Sequence, residues 1–113
     1  FKCTVHAGHT VEIERISGIA TSLGAKRVCE QALRCAGMHP IVSELVTDSE
    51  ALRACRRFID DHRVLTEPAC GAALACLYEE KAVLEPFSRP LAIVCGGATM
   101  SLEQLISPQS HAR

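Results

Sequence analysis

No stretch of the 113 residues gathers charge of one sign, and no apolar run nears the length needed to span a bilayer. No two cysteines stand in Cys-x-x-Cys spacing. Each absence excludes something. Twelve basic and thirteen acidic residues are interspersed, with a formal net charge of -1, so nothing marks a nucleic-acid surface or an acidic tail. The missing Cys-x-x-Cys pairs argue against a structural zinc ribbon. The start, Phe1-Lys2-Cys3-Thr4-Val5-His6, lacks the basic-then-apolar order of a secretory leader. It also lacks an initiating Met, which suggests a processed or truncated product, or a piece of a longer chain. There is no internal repeat and no low-complexity segment.

What remains is globular: 48% hydrophobic, 22% charged and long enough for one small domain. The seven cysteines are many for this length, and their number is odd. Cys55, between Leu52 and Phe58, and Cys76, beside Leu74 and Leu77, read as small core residues. The set suggests a reducing compartment, and a cytoplasmic location is expected.

The stretch Leu91-Ala92-Ile93-Val94-Cys95-Gly96-Gly97 follows Pro90. A short apolar run without polar alternation predicts a strand buried on both faces, as in a parallel sheet. Ligands of open α/β sheets bind just past the carboxyl ends of strands, which is where Cys95 falls. The plainer alternative is a buried strand, a tight turn and an inert core cysteine.

Along the chain, Phe1 to Ala7 reads as helix, stopped by Gly8. Cys3, His6 and His9 stand three residues apart and could face one way, so a metal site is conceivable there. Val11 to Ser17 alternates loosely. Ile19 to Ala25 is a compact run of small residues, either a plain turn or a place where carbonyls are exposed. Lys26 to Gly37 reads as helix and Ile41 to Val46 as strand. Thr47-Asp48-Ser49-Glu50 is a capping box. It opens an amphipathic helix with Ala51, Ala54, Cys55, Phe58 and Ile59 on one side and solvated charges elsewhere. Pro68 marks the start of a helix of small residues that can approach a neighbour closely. Glu67 stands at its positive dipole end, where a carboxylate cap is favoured. Glu79 to Arg89 is a charged loop. Ser101-Leu102-Glu103-Gln104 opens a short last helix, and Ser107 to Arg113 reads as a frayed tail. This alternation of elements favours an α/β fold with parallel-type strands flanked by helices.

Two of these stretches in tandem, Glu67-Pro68-Ala69-Cys70-Gly71-Ala72-Ala73-Leu74-Ala75 and Ile93-Val94-Cys95-Gly96-Gly97, resemble the C-terminal signature of the L-serine dehydratase and serine dehydratase-like enzymes. Ser22-Leu23-Gly24-Ala25-Lys26, Ser43-Glu44 and Phe58-Ile59-Asp60-Asp61 fall in matching order. The resemblance covers nearly the whole chain and corresponds to roughly the last third of a family member. It implies a fold type II pyridoxal-phosphate enzyme, with residues 1–113 as the C-terminal portion of its cofactor-binding domain. It also implies a homodimer and a role in amino-acid metabolism and gluconeogenesis. The implied reaction converts L-serine to pyruvate and L-threonine to 2-oxobutanoate. The α-proton is abstracted, hydroxide is lost from the β-carbon, and the released enamine and imine hydrolyse; the cofactor is the electron sink.

Residue by residue, the resemblance places Cys95 at the pyridine nitrogen of the cofactor, with Gly96 and Gly97 in the same turn. A neutral thiol there would favour elimination over transamination. The resemblance places Ser22 near the cofactor ring and Glu67 before the small-residue helix. The backbone carbonyls of Leu23 and Ala25 match positions that coordinate a monovalent cation, typically potassium. The chain also departs from the pattern. Ala98 and Thr99 occupy the turn where an asparagine is usual, the loop from Tyr78 to Leu91 is short, and the last helix stops early. The cofactor-bearing lysine segment, a flanking asparagine and the glycine-rich phosphate loop are absent. None of Lys2, Lys26 and Lys81 is followed by glycine. The alternatives are a fragment of the enzyme, a non-catalytic α/β interaction domain derived from it, or a small metal protein built on Cys3, His6 and His9.

Overall fold

A computed structural model of the chain describes residues 1–107, divided between two compact units. The first comprises Phe1–Ile16 and Gly24–Leu45; the second comprises Ser17–Leu23 and the chain from Val46 onward. Residues 108–113, most of the expected tail, lie outside the described residues. Among the described residues no helix is long and apolar enough to cross a membrane.

In the first unit, helix α1 (Lys2–Ala7) ends where sequence reading expects. Gly8 takes the left-handed conformation, φ 71°, and its N–H reaches the carbonyls of Thr4 and Val5. Glycine adopts this conformation without the steric penalty a side chain brings. Thr4 is buried and accepts a bond from the Val11 N–H at 3.3 Å. Helix α2 (Glu30–Met38) packs against α1 but begins later than the expected Lys26. Lys26 and Arg27 are used otherwise. The Lys26 carbonyl accepts from the Ile13 N–H at 2.8 Å, and Arg27 pairs with Glu12 in an isolated antiparallel bridge.

The second unit is built on α3 (Asp48–His62) and α4 (Pro68–Tyr78), packed together, with α5 (Leu102–Ile106) against α3. Both expected capping boxes form, at Thr47/Glu50 and at Ser101/Gln104. Pro68 opens α4, as its fixed φ and missing N–H allow. One apolar cluster joins Leu52 and Cys55 of α3 to Leu105 of α5; a second joins Ala54 to Leu74 and Ala75 of α4. Fully burying a leucine such as Leu52 contributes about 2 kcal/mol. On the outer side of α3, Arg53 pairs with Glu79 at 2.8 Å and Arg57 lies 4.3 Å over the Tyr78 ring. Part of the charge expected to be merely solvated therefore ties α3 to the end of α4.

The two expected strands do not form. No strand occurs among the described residues, and the Glu12–Arg27 bridge is the isolated ladder contact. The segment 91–95 is not buried on both faces: Leu91 is 90% and Ile93 71% exposed, while Ala92 between them packs against the Ala54, Leu74 and Ala75 cluster. Val42 is 70% exposed. A strand is held by hydrogen bonds to a neighbouring strand, and no described segment pairs with 41–46 or 91–95. Apolar β-branched runs here carry the propensity without the partner.

Glu50 connects the capping box to the loop after α4. Its carboxylate accepts from the Thr47 N–H at 2.6 Å and from Lys81 Nζ at 2.5 Å. The Lys81 bond first, then Thr47, hold its pKa down from the ordinary 4.5 to about 2. A depressed carboxylate stabilises the fold above its unfolded-state pKa and loses that contribution as pH falls through the folded value. Helix content followed by circular dichroism should therefore fall between pH 4.5 and about 2, and Glu50→Gln should lessen that dependence. An identical acid titration for the variant would remove Glu50 from this role.

Candidate functional site

The site is assembled in the second unit from three short pieces: the 3₁₀ turn Thr21–Leu23, the entry to α4, and the turn from Cys95 to Thr99. The first piece packs against α4. It is tethered from behind by the Ile19 N–H, which donates to the Asp48 carboxylate (3.3 Å to Oδ1) at the start of α3.

The entry to α4 is seated by glycine. A Cβ on Gly71 would stand 2.2 Å from the Ala51 carbonyl oxygen and 2.6 Å from Cys55 Sγ, so α3 and α4 touch backbone to backbone here. The expected close approach of the small-residue helix is thus realised. The Cys55 thiol donates to the Glu67 carbonyl at 3.3 Å. Burial pushes this thiol's pKa up, which keeps it a proton donor. Beside it lies Thr66, fully buried, whose hydroxyl has no oxygen or nitrogen partner among the described residues.

The Cys95 turn is laid directly on this entry. The Glu67 N–H donates to the Gly96 carbonyl at 3.1 Å. A Cβ on Gly97 would stand 2.3 Å from the Leu65 carbonyl oxygen, which requires glycine there. Gly96 has φ 151° and open space where a side chain would be. Cys70, in the first turn of α4, is buried, and its sulfur accepts the Cys95 N–H at 3.2 Å. Cys95 itself is exposed. The alternative of an inert core cysteine on a buried strand is corrected: the turn stands at the surface, with no strand leading into it.

Glu67 does not act as the side-chain cap expected of it. It is the N-cap residue by backbone, but its carboxylate makes no cap bond. Instead Thr99 Oγ1 donates to Glu67 Oε2, and the Ser22 hydroxyl lies close enough to the same carboxylate to favour its charged form. Thr99 first and Ser22 second hold the Glu67 pKa below the usual carboxylate range. Ser22, Glu67, Gly96 and Gly97 are thus brought together next to Cys95. Thr99, Cys70, Cys55 and Asp48 complete the arrangement and were not among the expected site residues. The replaced turn at Ala98-Thr99 was the one available signal for Thr99.

The other expected residues fall elsewhere. Leu23 closes the 3₁₀ turn of the second unit, and Ala25 belongs to the first unit. Cys3 and His6 lie on α1, while the left-handed Gly8 ends the helix before His9, whose Nδ1 lies 3.1 Å from the Ala7 carbonyl. Among the described residues no group of three His, Cys, Asp or Glu is placed to hold a metal ion.

A pyridine ring needs a donor or acceptor at its nitrogen and open backbone beside it. The exposed Cys95 thiol, the Ser22 hydroxyl and the open flank of Gly96 fit that pole of pyridoxal phosphate. None of the three lysines belongs to the pieces that build the site: Lys81 Nζ is bonded to Glu50, and Lys2 and Lys26 belong to the first unit.

The family model described as pyridoxal-phosphate dependent enzyme matches residues 1–96. The human protein named L-serine dehydratase/L-threonine deaminase is 43% identical to this chain, over 93% of the chain and 34% of the relative. The rat serine dehydratase-like protein is also 43% identical, with the same coverage of 93% and 34%. A solved fungal L-serine ammonia-lyase from Rhizomucor miehei superposes with a TM-score of 0.84 at 35% identity, covering 93% of this chain and 35% of that one. The chain therefore spans about a third of the length of the curated relatives it matches.

Proposed function

The chain belongs to the family of pyridoxal-phosphate dependent enzymes, and from that premise we propose that it is the C-terminal portion of an L-serine/L-threonine ammonia-lyase. The observation that carries the proposal is the gathering of Ser22, Glu67 and Gly96 beside an exposed Cys95. Relatives bearing serine dehydratase and threonine deaminase names support the choice of substrate. In this reading residues 1–113 are part of the cofactor domain of a fold type II enzyme. Segments 41–46 and 91–95 join its sheet when neighbouring strands are present, which accounts for their apolar, unpaired state. A homodimer and a cytoplasmic setting belong to the same reading, the latter supported by seven free cysteines.

Bound pyridoxal phosphate supplies the electron sink for the carbon that loses its proton. The chain's own contribution is to hold the ring's nitrogen side. The Cys95 thiol offers a weak hydrogen bond there rather than a full negative charge. The Glu67 carboxylate accepts from Thr99 and lies beside the Ser22 hydroxyl. The main-chain carbonyl of Leu23 would offer an oxygen ligand to a potassium ion, a hard cation that takes such ligands.

A chain of the relatives' length carrying these residues should release pyruvate and ammonia from L-serine. In it, Cys95→Asp should move the visible band of the bound cofactor and lower the fraction of turnovers ending in pyruvate. An unchanged band with unchanged elimination would remove Cys95 from the ring nitrogen. A second reading is a non-catalytic interaction domain derived from such an enzyme. Failure of the longer chain to form pyruvate would support it.

A further inference from the structure

We infer that Cys70 is the positioning residue of the Cys95–Gly96–Gly97 turn, its buried sulfur setting the direction in which the Cys95 thiol is presented. The inference deepens the proposed function and rests on it for the turn's purpose. Its geometry stands apart from that reading.

Three contacts converge on one sulfur. Cys70 Sγ accepts the Cys95 N–H at 3.2 Å and the Gly96 N–H at 3.4 Å, and it donates to the Gly96 carbonyl at 3.2 Å. That carbonyl also accepts the Glu67 N–H at 3.1 Å. The peptide groups on both sides of Gly96 are therefore fixed to the first turn of α4. Gly96 needs such fixing, because at φ 151°, with open space at its Cβ position, the backbone has no side chain to restrain it. Cys70 can supply it because it is itself held: it is 3% exposed and precedes Gly71, which rests on Ala51 and Cys55 of α3. The second buried thiol repeats the pattern one step away, with Cys55 holding the Glu67 carbonyl. A sulfur suits the position because it accepts and donates at once, at distances longer than an oxygen would tolerate. Alanine at position 70 would leave both amides without this acceptor, whereas serine keeps a donor and an acceptor on a shorter bond.

Two measurements test this. In the 113-residue chain, the amides of Cys95 and Gly96 should exchange with solvent at least about fivefold more slowly than in Cys70→Ala, with partial recovery in Cys70→Ser. In the longer, cofactor-loaded chain, Cys70→Ala should move the cofactor band in the same direction as Cys95→Ala, and the double variant should move it no further. Failure of the longer chain to bind cofactor would defeat the proposed function and leave the exchange measurement decisive. If Cys70→Ala does not fold, the unsubstituted chain decides: protected Cys95 and Gly96 amides support the inference, and amides exchanging at the open-chain rate overturn it. Equal exchange in folded Cys70→Ala and the unsubstituted chain would also overturn it.

Discussion

Supplied with pyridoxal phosphate and L-serine, the 113-residue chain should form no pyruvate above background. The proposed chemistry needs a lysine that carries the cofactor and moves the substrate's α-proton, a role activated lysines fill in such enzymes. Three lysines are present, and none belongs to the pieces that build the site. Lys81 is bonded at 2.5 Å to Glu50 Oε1, while the other oxygen of that carboxylate completes the cap of α3. Lys2 opens α1, and the Lys26 segment is engaged with Ile13, both in the first unit. The ring-nitrogen side alone, built from Cys95, Ser22 and Gly96, orients a ring that nothing here anchors. Because enzymes of this kind work at least about a millionfold faster than the uncatalysed reaction, loss of the anchoring group removes the activity rather than trimming it. The measurement is visible absorption of the chain after dialysis against free cofactor, followed by a pyruvate assay. A band that persists, together with pyruvate, would show that one of the three lysines is competent.

Local chemistry was legible in the sequence. The capping boxes at Thr47 and Ser101, the stop at Gly8 and the start at Pro68 are each determined within one turn of helix, and each stands where it was expected. The start of α2 was misplaced because Lys26 and Arg27 are claimed by residues 12 and 13, outside any local window. Segments 41–46 and 91–95 were read as strands for their apolar, β-branched composition. That composition reports a preference, and a ladder also needs a partner. At the site, Ser22, Glu67, Cys95, Gly96 and Gly97 were visible as motif residues. Their connection through Thr99 and Cys70 was not, since the Thr99–Glu67 bond spans 32 positions and the Cys70–Gly96 bond spans 26.

Replacing one hydrogen atom at Gly71 should have a large effect on the stability of the second unit. In a helix interior Gly→Ala ordinarily stabilises by about 1 kcal/mol, because alanine loses less backbone freedom. At Gly71 the added Cβ would stand 2.2 Å from the Ala51 carbonyl oxygen, 2.6 Å from Cys55 Sγ and 3.0 Å from the Ala51 carbonyl carbon. Two of these atoms are helix backbone and cannot rotate away, so α3 and α4 must part. Overpacking of this kind costs about 3 kcal/mol, which outweighs the propensity gain. Separation would also carry Cys70 and Glu67 away from the turn they hold. Gly37, near the end of α2, supplies the contrast: among the described residues no atom outside its own helical turn lies within 4 Å of its Cβ position, so Gly37→Ala meets no clash there. In urea unfolding followed by circular dichroism, Gly71→Ala should lower the midpoint of the second unit, while Gly37→Ala should leave α2 as stable or more so. An unchanged or raised midpoint for Gly71→Ala would mean that α3 and α4 do not meet backbone to backbone, and the seat assigned to Cys70 would go with that contact.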